Sequence, residues 1–272
     1  MFALYWRLLR YRVAVMIVLF VLLGAAWQRD ASALGWPLVL AVLALASSYV
    51  SATSVNDIAD EAIDEINHPR DEGRPLVTGA ATTRDLWLVF GVACVLAIAL
   101  ALAISPVISG IMALSLLIGV LYSLPPVKLS YRTYLAPLTL AVAYVGIPFW
   151  VGVVAVGDRL GASDLPLLAA LYLLFVGRIV LKDFRDREGD AAFDKPTFLL
   201  MYGKPATCLA SFGAICAGDM VLTLVLANRL WLAPLLQRFA VGAMVKLYRL
   251  YRVESRMDEQ LAIGMGAKMG NG

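Results

Sequence analysis

The sequence predicts an all-α fold, a polytopic transmembrane bundle of eight or nine helices. Composition is the first ground. Hydrophobic residues make up 61% of the 272-residue chain, charged residues only 16%, and the mean hydropathy is +0.79. An ordinary soluble domain reaches about 45–50% apolar even with glycine counted, and a soluble fold of this size cannot hide so much apolar surface. The second ground is grouping, because the apolar residues fall into runs long enough to cross a hydrocarbon core of about 20 helical residues. The lipid bilayer is therefore the first expected partner. The net charge of +3 is too small to argue for nucleic acid, and no such partner is expected.

The runs read in order as spans at 12–28, 33–55, 86–104, 107–123, 134–156, 164–181, 207–227 and 230–250. The first follows Arg7, Arg10 and Arg12 with no small-residue cleavage site behind it, so it reads as a retained helix and not a signal peptide. Pro106 and Pro166 fall at helix starts, where a missing N–H is tolerated. The run at 230–250 carries Arg238 and Lys246. Beyond it, 251–262 is polar and amphipathic, and the tail LAIGMGAKMGNG resembles the opening of a ninth helix that is absent, truncated or irregular. Cys94, Cys208 and Cys216 all lie in apolar runs and read as small buried hydrophobes.

Lys and Arg set the orientation. With the N-terminus in the cytoplasm, nineteen of the 23 basic residues fall in cytoplasmic segments. Arg29, Arg159, Arg229 and Arg238 are the remainder. The positive-inside rule thus places the N-terminus and the segments 56–85 and 182–205 on the cytoplasmic side. A multi-pass protein of a prokaryotic plasma membrane is the expected location. Residues 1–272 read as a single domain.

The acidic residues carry the chemistry. Residues 56–75 hold seven and 183–194 hold five, so twelve of the twenty carboxylates occupy 32 residues. Acidic residues contribute little to topology, so membrane insertion does not explain the clusters. Asp57, Asp60 and Asp64 repeat the spacing of Asp183, Asp186 and Asp190, each pair offset by 126 residues. Helical steps of three and four place each set on one face, and Asn56 joins the first through Asp60 and Asp64. Both sets extend the C-terminal end of a predicted span. That end is already negative, so each carboxylate there is disfavoured by roughly 0.3–1 kcal/mol. Something positive must offset this, and oxygen-only ligands select a hard cation such as Mg²⁺. Such an ion, held by one or two carboxylates, takes its remaining ligands from water and phosphate.

Arg70 and Arg74 follow the first set; Lys182, Arg185, Arg187 and Lys195 surround the second. Metal with basic side chains suits a diphosphate leaving group. Arg74 and Lys195 stand out because each precedes a proline that stiffens the chain (RPL, KPT). His68 has no nearby His or Cys and reads as a loop residue. A transporter would place its charged site near the bilayer midplane, whereas these carboxylates lie at or beyond the span ends.

These residues resemble the UbiA superfamily of intramembrane prenyltransferases. NDIADEAID (Asn56–Asp64) resembles its first aspartate motif, HPRDEGRPLVTG its continuation, YSLPPVKLS (Tyr122–Ser130) its loop after the fourth helix, and KDFRDREGDAAFDKPT (Lys182–Thr197) its second aspartate motif. The resemblance implies a helical bundle around a central cavity. In that family the two aspartate motifs face each other and bind a prenyl diphosphate through Mg²⁺, and a small acceptor, aromatic or not, attacks the allylic carbon. By position, Asn56, Asp60, Asp64, Asp183, Asp186 and Asp190 would be metal and diphosphate ligands. Arg74, Lys128, Lys182 and Lys195 would contact phosphate. Tyr122 and Ser123 would line the cavity near the diphosphate or the reacting carbon. Asp57 matches the motif without an assigned ligand role. The superfamily also includes terpene cyclases, which ionise the same substrate without an acceptor, and phosphoribosyl transferases acting on polyprenyl phosphate.

The residue inventory accords with ionisation chemistry. There is no Ser/His/Asp set or activated Cys for side-chain nucleophilic catalysis. A carbocation requires a dry, aromatic-lined cavity. Tyr134, Tyr144, Phe149, Trp150, Tyr172 and Phe175 are the aromatic candidates beside Tyr122.

Overall fold

The computed structural model describes residues 2–27, 35–157, 159–227 and 233–253, with only the backbone described at 233–236 and 239. The expected tail helix, together with Arg29 and Arg229, lies outside these residues. Among them the regular structure is entirely helical. Six helices are long and apolar enough to cross a membrane, or seven if a bent N-terminal pair counts as one span. The chain is a multi-pass membrane protein.

Contacts divide the chain into two compact units, Met1–Ser130 with Val142–Leu160, and Tyr131–Ala141 with Gly161–Gly272. The first contains α1 (Phe2–Leu9), α2 (Tyr11–Ala26), α3 (Trp36–Ala59), α4 (Glu61–Asn67), α5 (Thr83–Leu102) and α6 (Pro106–Ser123). The span Leu135–Ala155 passes between the units. It comprises α7 (Leu135–Ala141), a π-helical stretch at Val142–Gly146 and α8 (Ile147–Ala155). The second unit holds α7, α9 (Leu165–Ile179), α10 (Arg187–Ala192), α11 (Phe198–Val225) and α12 (Ala233–Arg252).

In the first unit α3 is the hub, with two-thirds of its apolar window buried. Its Ala41, Ala44 and Leu45 pack with Val21 of α2, Met112 of α6 and Ile147 of α8. Lipid tails are as apolar as leucine, so association of such helices relies on close packing and interhelical hydrogen bonds. Both are present. A Cβ on Gly24 would collide with the Phe149 backbone, and one on Gly152 with that of Val21, so α2 and α8 touch main chain to main chain. Ser48 and Ser115 join α3 to α6 at 2.8 Å.

The second unit uses the same devices. A Cβ on Gly177 of α9 would lie 2.9 Å from the Ser211 carbonyl of α11, and one on Gly218 2.9 Å from that of Ala170. Ser211 Oγ donates to the Gly177 carbonyl at 2.5 Å. The run expected at 207–227 begins earlier, at Phe198, with a break at Gly203 (φ 76, ψ 175) that glycine alone adopts readily. The run expected at 230–250 is helical as α12 but amphipathic. It buries Ala240, Leu247 and Leu250, packs on α11, and is not among the helices apolar enough to cross.

Candidate active site

The first aspartate set sits where α3 ends. Asp60 leaves helical geometry (φ −114, ψ 16), and α4 restarts immediately after it. The hydrogen bonds from Asp60 N to the Asn56 carbonyl (2.9 Å) and from Asp64 N to the Asp60 carbonyl (2.8 Å) span the break, so the three-and-four spacing survives it. Asp57, Asp60 and Asp64 are all buried, none more than 6% exposed. Burying carboxylates is costly unless they are paired, and this set is paired heavily. Asn56 Nδ2 donates to Asp60 Oδ2 at 3.1 Å. Arg74 bridges Asp57 and Asp64, and Arg10 donates to Asp57 Oδ1 at 2.5 Å. The turn Asp71–Thr78 presents Arg74: its N–H binds the Asp71 carbonyl at 2.9 Å, and Thr78 Oγ1 donates to its carbonyl at 3.2 Å.

The second set repeats this backbone. Asp186 (φ −93, ψ 9) is also a break, and Asp190 lies in the short α10 after it. Before it, Val180–Phe184 is a 3₁₀ turn and not the α-helical continuation that the spacing predicts. Asp186 accepts from Arg185 Nε at 2.9 Å, with Lys182 Nζ at 3.8 Å. Asp190 pairs with Lys195 Nζ at 3.3 Å. Burial pushes the Asp190 carboxyl above its ordinary pKa, opposed by the charges of Lys195 and Lys182. Lys195 also lies 5.9 Å from the Tyr131 ring centroid.

The leading acid of each set has a structural partner. Asp57 is tied to Arg10, and Asp183 Oδ2 accepts the Phe198 N–H at the start of α11 at 3.1 Å. The pairs Asp60/Asp64 and Asp186/Asp190 remain as the candidate ligating carboxylates. Among the described residues no group of three or more His, Cys, Asp or Glu side chains is gathered closely enough to hold a metal. Each set nevertheless offers two buried carboxylates four residues apart, and the buried Asp57 Oδ2 accepts no hydrogen bond. That donor type and number fit Mg²⁺ when phosphate and water complete its shell.

Tyr122 and Ser123 close α6. Tyr122 is half-buried; Ser123 is fully buried, and its Oγ has no hydrogen-bond partner among the described residues. Lys128 follows a cis Pro125–Pro126 bond in left-handed geometry (φ 39), with its N–H on the Leu124 carbonyl at 2.9 Å. Of the aromatic candidates, Phe149 is fully buried in the α2–α8 crossing. Tyr172 donates to the Leu138 carbonyl at 3.0 Å, and Tyr134 meets Phe198 edge-on and Tyr202 at a tilt. Tyr144, in the π-helical stretch, meets Tyr49 edge-on at 5.9 Å. Sequence reasoning missed Arg10, counted only as a positive-inside charge, and Ser130, whose buried Oγ likewise has no hydrogen-bond partner. No local motif marks Arg10, and Ser130 closes the YSLPPVKLS stretch with nothing in its spacing to single it out.

Comparison with known proteins supplies the context. The model of the UbiA prenyltransferase family matches residues 17–271. Chlorophyll synthase of Oryza sativa subsp. japonica is 26% identical over 170 residues, covering 60% of this chain and 44% of that protein. The bacteriochlorophyll synthase 33 kDa chain of Cereibacter sphaeroides is 27% identical over 204 residues, covering 74% and 66%. The chain thus spans under half the length of the chlorophyll synthases it matches. A solved UbiA homolog from Archaeoglobus fulgidus, bound to DMAPP and Mg²⁺, superposes with a TM-score of 0.76 at 19% identity, covering 98% of this chain and 96% of that one. At that identity the likeness is one of fold.

Proposed function

The chain belongs to the UbiA prenyltransferase family, and from that premise we propose that it transfers an isoprenyl group from a prenyl diphosphate to a small acceptor inside the membrane, with Mg²⁺ as cofactor. One observation carries this reading: two carboxylate sets with a backbone break at the middle acid, the first set buried throughout and the second buried at Asp186 and Asp190, each with a basic partner, at the ends of apolar spans. Asp60 and Asp64 in one set, and Asp186 and Asp190 in the other, are the proposed metal-ligating pairs. Asn56 and Asp183 are the supporting oxygen donors. Mg²⁺, when bound, supplies Lewis-acid neutralisation of the diphosphate leaving group.

The side chains account for the rest. Arg74 offers a planar fork to phosphate oxygens, and Lys128, Lys182 and Lys195 add charge around the leaving group. The allylic C1–O bond breaks with its electron pair going to the diphosphate. The acceptor then bonds to C1 and loses a proton. Tyr122 and Ser123 are proposed to sit beside the reacting carbon. Apolar helix faces exclude water, which would otherwise capture the carbocation.

The test is incubation of the purified protein with Mg²⁺ and allylic diphosphates of several chain lengths, with and without phenolic, chlorophyllide-type and glyceryl phosphate acceptors. Diphosphate release is expected to require one acceptor class and to yield the alkylated acceptor. Cyclic hydrocarbons or alcohols formed without acceptor would overturn the transferase reading in favour of cyclisation.

We further propose that both aspartate loops and the N-terminus face the cytoplasm of a prokaryotic cell, on the strength of the basic-residue asymmetry. Glu72 and Ala192 are exposed on these loops. Glu72→Cys and Ala192→Cys, in a cysteine-free background, should react only with reagent admitted to the cytoplasm. Labelling from outside intact cells would reverse the assignment.

A further inference from the structure

We propose that Arg10 is a positioning residue of the phosphate site: by neutralising Asp57 it leaves the Arg74 guanidinium available to a diphosphate. The inference rests on the reading of Arg74 as a phosphate contact and gives that site a regulator of charge outside both motifs.

Arg10 occupies the left-handed break (φ 43) between α1 and α2, which meet at 68°. The α1 side of the break is anchored. Leu8 is fully buried against Val50, Leu86 and Val89. Thr53 Oγ1 donates to the Leu8 carbonyl at 3.0 Å, and the Tyr5 hydroxyl to Ser47 Oγ at 2.7 Å. This fixes the Arg10 guanidinium beside the first aspartate set, where it donates to Asp57 Oδ1 at 2.5 Å and to the Gly73 carbonyl at 3.3 Å.

Arg74 directly follows Gly73 and reaches the same oxygen, Asp57 Oδ1, at 3.3 Å while also pairing with Asp64. Two guanidinium groups therefore serve two buried carboxylates. A diphosphate that engages Arg74 must draw it from these partners. A cation can then take over Asp64, but Asp57, whose side chain is 3% exposed, still needs a positive partner, because an uncompensated buried charge is strongly destabilising. Arg10 already holds that oxygen at the shorter distance. Without Arg10, Asp57 would compete with the substrate for Arg74.

The experiment measures inorganic pyrophosphate binding to the detergent-purified protein in Mg²⁺ by calorimetry, with thermal midpoints recorded alongside. Arg10→Gln is expected to weaken binding about tenfold, the size of one charge-assisted hydrogen bond. Arg10→Gln with Asp57→Asn should return to within about threefold of the parent, because no carboxylate then competes for Arg74. Arg10→Lys should stay close to the parent, since an ammonium neutralises Asp57 without forking to Gly73. Parent-like binding by Arg10→Gln, a double variant no better than the single, or an Arg10→Lys as weak as Arg10→Gln would each overturn the proposal. The double variant leaves no unpaired buried charge, so it keeps the test open if Arg10→Gln alone fails to fold. Arg74→Gln separates the two readings. If it loses pyrophosphate while Arg10→Gln does not, only the role of Arg10 fails; if it binds like the parent, the phosphate reading of Arg74 fails and takes the inference with it.

Discussion

Asp60→Ala and Asp186→Ala are each expected to abolish turnover in Mg²⁺ while the protein remains folded. Both residues form the break in their aspartate set and are buried, at 6% and 5% exposure. A metal that polarises a leaving oxygen supplies several kcal/mol of charge stabilisation, and about 4 kcal/mol corresponds to roughly a thousandfold in rate. The fold should survive for electrostatic reasons. Each substitution removes a negative charge from a negative helix end and from an i, i+4 pair of like charges, relieving roughly 0.3–1 kcal/mol. Asn56, Lys182 and a largely exposed Arg185 are among the partners left behind, and they can turn to water. Product formation over a Mg²⁺ titration, with thermal midpoints in detergent, checks both halves. Near-normal activity of either variant would remove that cluster from the metal assignment.

Arg74→Lys should lower kcat/KM ten- to a hundredfold, corresponding to roughly 1.5–3 kcal/mol for a lost charge-assisted bond, although net charge is unchanged. The Arg74 guanidinium is shared between Asp57 and Asp64 in the resting fold. Both contacts are made by Nη1, and a planar fork can take two phosphate oxygens side by side in a geometry that an ammonium does not copy. Arg84 is the control. It lies exposed in the first turn of α5, ten residues further along, where position-independent positive charge is all that insertion requires. Arg84→Lys should be tolerated. Equal tolerance at both positions, measured as kcat/KM for the prenyl diphosphate, would reduce Arg74 to a topology charge.

How far these residues could be read from the sequence depends on the range of the interaction involved. The 126-residue offset of the aspartate sets is local in each copy, and it corresponds to a shared backbone break at Asp60 and Asp186. The proline after Arg74 marked a turn, and the turn does present that guanidinium to buried acids. Apolar runs located the helices because hydrocarbon thickness imposes their length. Other features depend on tertiary contacts that carry no local signature. The 3₁₀ turn before Asp186 has the composition of a helix, and the Asp183 bond to the Phe198 N–H across fifteen residues is what distinguishes it. Arg10 looked like one more basic residue ahead of an apolar run, and its role comes from Asp57, 47 residues away. Among the aromatic candidates, the packing of Phe149 into a helix crossing and the edge contact of Tyr134 with Phe198 likewise depend on residues distant in sequence.

The proposed function requires each carboxylate set for uptake of a divalent cation with a diphosphate. Mn²⁺ favours the same oxygen ligands as Mg²⁺ and reports its own binding by electron paramagnetic resonance. With an unreactive prenyl thiolodiphosphate present, the parent protein should take up Mn²⁺, and Asp60→Ala and Asp186→Ala should each lose that uptake. Parent-like Mn²⁺ uptake in either variant would contradict the account.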